Sequence, residues 1–429
     1  MRTTLSIVLA AGLTAAPLLA ASPSVADDPP TRITLTRWTS DADFRAGTLE
    51  GLEVKHGRLT IAKKTGKGTG LTTRSYTDPF GDGSARTYDT GTWTSPVVEL
   101  GYPDDEAISS WNATTPTGTW VETLFRGRHA DGTWTKWYVM GRWTSGRDYA
   151  DGDIHRTSVD GQNDTDARIF TDTFSTRSGR EPVAFQTRVT LLRPVGRGSS
   201  PKLDSVTTMT SELIPDYAGT SAFTLGHAVE LAVPPYAQNT HSGEFPEYGG
   251  GGEVWCSPTS TAMVMSYFGA SPSAEELADI PFADPQVDHA ALNVWDYAYD
   301  GAGNWPFNAA YAHTYGLDTF VTRLRSLQEV EAFVAAGIPV ITSQSWELEE
   351  MPEAGYDTNG HLFVIVGFTE DGDPVINDPA SSSDANVRSV YTRENFERVW
   401  QESTGGVAYI YHPNGTPLPA NLPGVTPNW

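Results

Sequence analysis

Short runs in which apolar and polar residues alternate dominate the first half of this chain. Thr119-Trp120-Val121-Glu122-Thr123-Leu124 and Thr187-Arg188-Val189-Thr190-Leu191-Leu192 place every second side chain on one face, which is the period of a half-buried strand. Gly81-Asp82-Gly83, Asp131-Gly132 and Ser178-Gly179 punctuate the runs as turns, and no stretch between residues 27 and 215 carries a helical period. An antiparallel sandwich of jelly-roll type is the expected architecture.

The pattern changes past a connector, residues 216–232, and from Val233 helices alternate with strands. Ser273-Ala274-Glu275-Glu276 and Ser326-Leu327-Gln328-Glu329 both fit the capping box that opens a helix, and Gly337 is placed to close the second. The spacing predicts further helices over Asn304–Tyr315, closed by Gly316, and over Arg393–Gln401. It predicts strands over Ile338–Thr342, Leu362–Gly367 and Val407–Tyr411. The fold class is thus α+β, an all-β sandwich (27–215) leading into an α+β domain (233–412), with a tail at 413–429.

A chain of 429 residues with 38% hydrophobic content can fill more than one core, which suits this division. Its net charge of −24 repels phosphate backbones and anionic lipid, so nucleic acid is excluded as a partner. Residues 1–26 read as a secretory signal: Arg2 precedes an apolar stretch from Leu5 to Leu19, and Ser24-Val25-Ala26 offers a cleavage site. No later stretch has the roughly 20 apolar residues of a membrane span, so a secreted, extracellular monomer is expected.

Exported proteins usually keep cysteines in pairs, yet this chain has one, Cys256. A lone cysteine is ordinarily a small buried hydrophobe. The context reverses that reading. Gly249-Gly250-Gly251-Gly252-Glu253-Val254-Trp255 leads into Cys256-Ser257-Pro258 and a helical pattern containing Ala262, Met263, Met265 and Phe268, ended by Gly269. A cysteine at a helix N-terminus meets free N–H groups and the positive end of the macrodipole, both of which favour the reactive thiolate.

Of the nine histidines, His361 is best placed as partner: it follows Asn359-Gly360 and opens the buried strand Leu362–Gly367. After the turn Glu370-Asp371-Gly372-Asp373 the chain returns as Pro374-Val375-Ile376-Asn377-Asp378-Pro379, and the hairpin brings a carboxylate back toward the imidazole. A loop of this length admits a bulge, so Asp378 and Asn377 both remain candidates to orient the ring. Gln238, upstream of the cysteine, is the candidate oxyanion donor. Trp255, Ser257 and Gly360, which flank the two reactive side chains, are the candidate substrate-binding positions.

In this order, Gln238, Cys256-Ser257-Pro258, Asn359-Gly360-His361 and Asn377-Asp378-Pro379 resemble the papain-like cysteine peptidases related to those that cut double-glycine leaders from bacteriocins. The resemblance spans 233 to about 412. It implies a papain-like fold with Cys256 as nucleophile, His361 as general acid/base, Asp378 as orienter and Gln238 in the oxyanion hole. The family commonly has glycine after the cysteine where this chain has Ser257, and the insertion Asn239–Trp255 is long, its glycines suggesting a mobile lip. The whole chain is similar to secreted actinobacterial proteins that join such a domain to an N-terminal β-sandwich.

Hydrolysis of a peptide or protein substrate through a thioester is the leading expectation. Amidase or transamidase action on cell-wall peptides uses the same groups. A rival of another class is a non-catalytic glycan-binding protein, because Trp38, Trp93, Trp111, Trp120, Trp134, Trp137 and Trp143 all fall in the sandwich and indole rings stack on sugars. The bland reading of those rings is core. No cofactor is expected: the histidines lack the paired spacing of a zinc site, and Asp151-Gly152-Asp153 and Asp371-Gly372-Asp373 lack a calcium loop's downstream glutamate. Asn112-Ala113-Thr114 and Asn163-Asp164-Thr165 match the glycosylation pattern and are assigned no function.

Overall fold

The computed structural model describes residues 32–63, 71–213 and 217–429; the signal segment expected at 1–26 lies outside them. The alternating runs of the first half pair into two seven-stranded antiparallel sheets. Trp120–Arg128 and Ala184–Pro194 are neighbours in one, with Leu191 opposite Val121, and Glu106–Thr114 and Lys202–Glu212 are neighbours in the other. Their inward faces meet through aromatic rings: Trp38 lies edge-on to Trp93 at 5.3 Å, and Phe125 lies 4.7 Å from Phe174. One short helix, α1 (Asp41–Ala46), interrupts the strands against expectation. Ser40 and Asp43 close its capping box, which a search for longer apolar periods passes over.

Trp38, Trp93, Trp111, Trp120 and Trp143 are buried, so these rings are core rather than a sugar-binding face. Trp134 and Trp137 are half-buried, and guanidinium groups cover them: Arg126 sits 4.2 Å and 4.5 Å from their centroids, and Arg188 sits 4.0 Å from Trp137.

The second half builds a third seven-stranded antiparallel sheet, in which Val340–Trp346 runs beside Thr358–Phe368 and the latter beside Pro374–Asn377. Helices cover both faces. On one lie α2 (Cys256–Tyr267), α3 (Pro285–Val294) and α4 (Trp305–Thr314); on the other lie α5 (Leu327–Ala335) and α6 (Arg393–Thr404). The helix α4 forms where expected, and Asn304 caps it, accepting from Phe307 N–H at 3.1 Å. Ser273 and Glu276 form the bonds of a capping box, but only turns follow. Pro281 stops the segment before a helix can propagate. Helix α3, for which no expectation was made, begins at Pro285 instead.

The connector is not loose where it is described. Ser221 donates to Glu397, Thr224 to Glu331, and Val229–Glu230 adds a strand beside Thr358–Phe368. The tail is held too, with Asn428 donating to Arg323 O at 2.7 Å and Trp429 against Phe333 at 4.9 Å.

Residues 31–429 form one compact unit. Phe307 of α4 stands edge-on to Trp111 at 6.1 Å and 5.3 Å from Trp143, so a single apolar cluster runs from the sandwich to Cys256. Arg156, wholly buried, leaves the sandwich to donate to Leu292 O at 3.0 Å, where the carbonyls at the end of α3 attract a cation. Arg323 crosses the other way, donating to Glu106 at 2.5 Å and to Thr404 O at 2.9 Å. Replacing it as Arg323→Met leaves charge-assisted bonds unmade, and we expect a loss of about 2–3 kcal/mol in urea unfolding. Both halves should still unfold in one transition; separate transitions in the wild type would refute the shared core.

Candidate functional site

Cys256 opens α2 after a backbone that only glycine adopts with ease. Gly249, Gly250, Gly251 and Gly252 all have positive φ, between 63° and 81°. A Cβ on Gly251 would lie 2.0 Å from His241 O. Gly243 N–H bonds Gly250 O at 2.7 Å, and the Trp255 indole donates to Tyr248 O at 2.8 Å. The glycines are thus wound into a tight turn just ahead of the cysteine. No side chain caps α2, so the N–H groups of its first turn face the position of the thiol and of any anion formed beside it.

His361 lies in the Thr358–Phe368 strand, opposite Gln344 of the next strand. Gln344 donates to His361 O at 3.0 Å, and Trp346 and Tyr356 stand edge-on to the ring at 5.9 Å and 5.8 Å. These rings leave the imidazole little freedom to turn. The hairpin does contain an irregularity, between Ile365 and Gly367, after which Val364 pairs with Asn377. That register resolves the choice between the two orienters. Asp378 Oδ1 meets His361 Nε2 at 2.8 Å, whereas Asn377 turns away and donates to Val233 O at 3.1 Å.

The Cys256 side chain also acts on the ring and raises its proton affinity. With Nε2 held by Asp378, Nδ1 is the nitrogen left for sulfur. Cys256, His361 and Asp378 are 8%, 3% and 3% exposed. Asp378 also accepts from Tyr391 at 2.5 Å, Tyr356 at 2.8 Å and Ala380 N–H at 2.9 Å. Burial works to raise its carboxyl, yet His361 and these donors hold it below the ordinary carboxylate range. Burial likewise favours a neutral ring, but the Asp378 carboxylate, with Cys256 assisting, raises His361 to about 10. Both tyrosines are pushed up, by burial and by the carboxylate they serve, so they stay protonated donors.

Gln238 starts a short 3-10 turn, Gln238–His241, strapped to the chain beyond Asp378: Gln238 N–H bonds Pro379 O at 2.8 Å and Ala237 N–H bonds Asp384 at 2.8 Å. Its side-chain Oε1 is buried without a hydrogen-bond partner. The three flanking positions differ. Gly360 is exposed beside the histidine, while Trp255 is 0% exposed and Ser257 is also buried, its hydroxyl 3.0 Å from that of Tyr409. The Trp255 and Ser257 side chains therefore pack inward, and Ser257 has its backbone N–H to offer. Tyr356, Tyr391, Gln344 and Trp346 escaped the sequence reading. Each is an ordinary core-type residue by pattern, and only the register brings it to the ring or its carboxylate.

Comparison with known proteins adds a family. Residues 34–211 match the model of the Peptidase C39 N-terminal domain, and residues 230–408 match the Peptidase_C39 like family. No curated protein matches the chain. Among solved structures, a Bacillus anthracis chain assigned as a C39-like peptidase is 22% identical with a TM-score of 0.29, over 43% of this chain and 98% of that one. A κ-carrageenase from Pseudoalteromonas carrageenovora, in complex with an oligotetrasaccharide, is 15% identical with a TM-score of 0.20, over 45% and 100%. The first half of the chain is thus similar to the Peptidase C39 N-terminal domain and the second half to the Peptidase_C39 like family.

Proposed function

We propose that this chain is an exported cysteine peptidase of papain-like fold, its sandwich of jelly-roll type, working through Cys256, His361 and Asp378. The reading is carried by one observation: a buried carboxylate holds the His361 ring, whose proton affinity the single thiol, at the start of a helix, also raises. An imidazolium raised to about 10 is a standing counter-cation for a thiolate near neutral pH. Export fits a chain whose single cysteine has no internal partner to oxidise it.

In the acylation step the Cys256 sulfur attacks the carbonyl carbon of a peptide bond. The imidazolium of His361 gives its proton to the leaving amine as the C–N bond breaks, leaving a thioester. Water then attacks the thioester while His361 takes its proton, and the acid departs as the thiol is restored. Negative charge gathers on the carbonyl oxygen in both steps. The Cys256 backbone N–H at the uncapped helix start and the Gln238 amide, whose oxygen is buried without a hydrogen-bond partner, are the donors for it. Tyr356 and Tyr391 act at one remove, by fixing Asp378.

Cys256→Ala should abolish turnover of a peptide library by secreted protein, and iodoacetamide at mildly acidic pH should label the wild-type thiol faster than free cysteine. Equal turnover by both proteins would remove the assignment. Gln238→Ala should lower kcat/KM by roughly 10²–10³-fold while Cys256 alkylation keeps its rate, because the amide acts on the oxyanion and not on the thiol. A parallel fall in alkylation would make Gln238 a support of the fold instead. Folding raises the proton affinity of His361 from its ordinary 6.5 to about 10, so the stability it confers is complete below about pH 6.5 and is lost as pH climbs toward 10. Asp378→Asn should flatten that decline in unfolding free energy measured between pH 6.5 and 10; an unchanged slope would mean the pair carries no linked proton.

A further inference from the structure

Beside the cysteine helix lies a second cluster of titratable groups that the proposed chemistry does not use. His241, Glu244 and Asp288 each offer a ligand atom, and these atoms lie within 4.8 Å of one another. His241 Nδ1 is 2.8 Å from Glu244 Oε2 and 3.3 Å from Asp288 Oδ2. His241 and Asp288 are 1% and 0% exposed, whereas the Glu244 side chain is 14% exposed and marks the way in from solvent.

The independent sign of a ligand is the state of Asp288. It is wholly buried on α3, yet neither of its carboxylate oxygens accepts a hydrogen bond, and Nε2 of His241 is also buried without a partner. Other buried carboxylates accept at least one bond: Asp378 has four donors, Asp296 accepts from Ser158 N–H at 2.9 Å and Asn304 at 2.9 Å, and Asp104 accepts from Ser211 N–H at 2.9 Å. Asp288 instead shares its space with a second carboxylate.

We propose that His241, Glu244 and Asp288 bind one divalent metal ion, of the zinc class that takes one imidazole nitrogen with two carboxylate oxygens. Three protein ligands leave a position for water. The spacing rules applied to the sequence sought paired histidines and cysteines, and so missed a set whose third ligand comes from another helix. The ion braces the site without touching its chemistry. His241 ends the 3-10 turn that Gln238 begins, Gly251 packs on its carbonyl, and Trp255, the residue before Cys256, lies 6.2 Å from its ring. The inference does not depend on the peptidase reading.

The test uses the full chain as Cys256→Ala, so that the thiol cannot itself hold zinc. After dialysis against chelator, titration with ZnCl2 should show one bound equivalent and raise Tm by about 3–5 °C at a hundredfold excess over Kd. Further substitution as Asp288→Asn or Glu244→Gln should abolish both effects, and Co2+ in place of zinc should give the visible absorption of a site with nitrogen and oxygen donors. Should Asp288→Asn fail to fold, Glu244→Gln, at the less buried ligand, and the metal content of purified protein decide the matter. No bound equivalent and no Tm shift for Zn2+, Mn2+ or Ca2+ would overturn the proposal, and the cluster would then be a pair of carboxylates sharing a proton.

Discussion

A buried carboxylate that stays ionised is the constraint around which the rest of this half is arranged. Taking Asp378 out of water costs several kcal/mol unless its lone pairs are met, and His361, Tyr356, Tyr391 and Ala380 N–H meet them from four parts of the chain. The donors come from the strand, the segment before it, the approach to α6 and the turn after Asp378 itself. Satisfying one anion therefore fixes the mutual positions of all of them. The chain leaving Asp378 then accepts the Gln238 backbone at Pro379, so the amide and the ring take their places from the same anchor.

Much of this was legible where local chemistry decides the structure. The start of α2 at Cys256, the Asn304 cap and the left-handed closures at Gly269, Gly316 and Gly337 rest on residues a few positions apart. The choice between Asp378 and Asn377 was not local. It depends on an irregularity within the Thr358–Phe368 strand, which sequence period cannot locate. Tyr356 and Tyr391 were invisible for a related reason: a tyrosine in an apolar context reads as packing until a buried anion is found for its hydroxyl. Ser273–Glu276 shows the converse failure, with local bonds formed as their residue types dictate and no helix for them to cap.

In the sandwich the seven tryptophans admitted two readings, and burial separates them ring by ring. The strand period did not say which rings face inward: Trp93 lies in the core between the sheets, Trp120 in a smaller cluster with Tyr76, Tyr88, Ile154 and Leu192. Over Trp134 and Trp137 lies arginine. A guanidinium stacked on an indole occupies the face that a sugar would use, while its aliphatic stem shields more of the strand below.

The apolar cluster running unbroken from the sandwich through Phe307 to Cys256 has a mechanical implication. A chain divided into separately cored lobes can admit a polypeptide by swinging one lobe from the other, with the strain taken up at a hinge. Here such a swing would tear close-packed side chains apart and strand Arg156 and Arg323 without their acceptors. Under the proposed function, a polypeptide would reach the thiol by local displacement of the segments around it and not by parting the two halves.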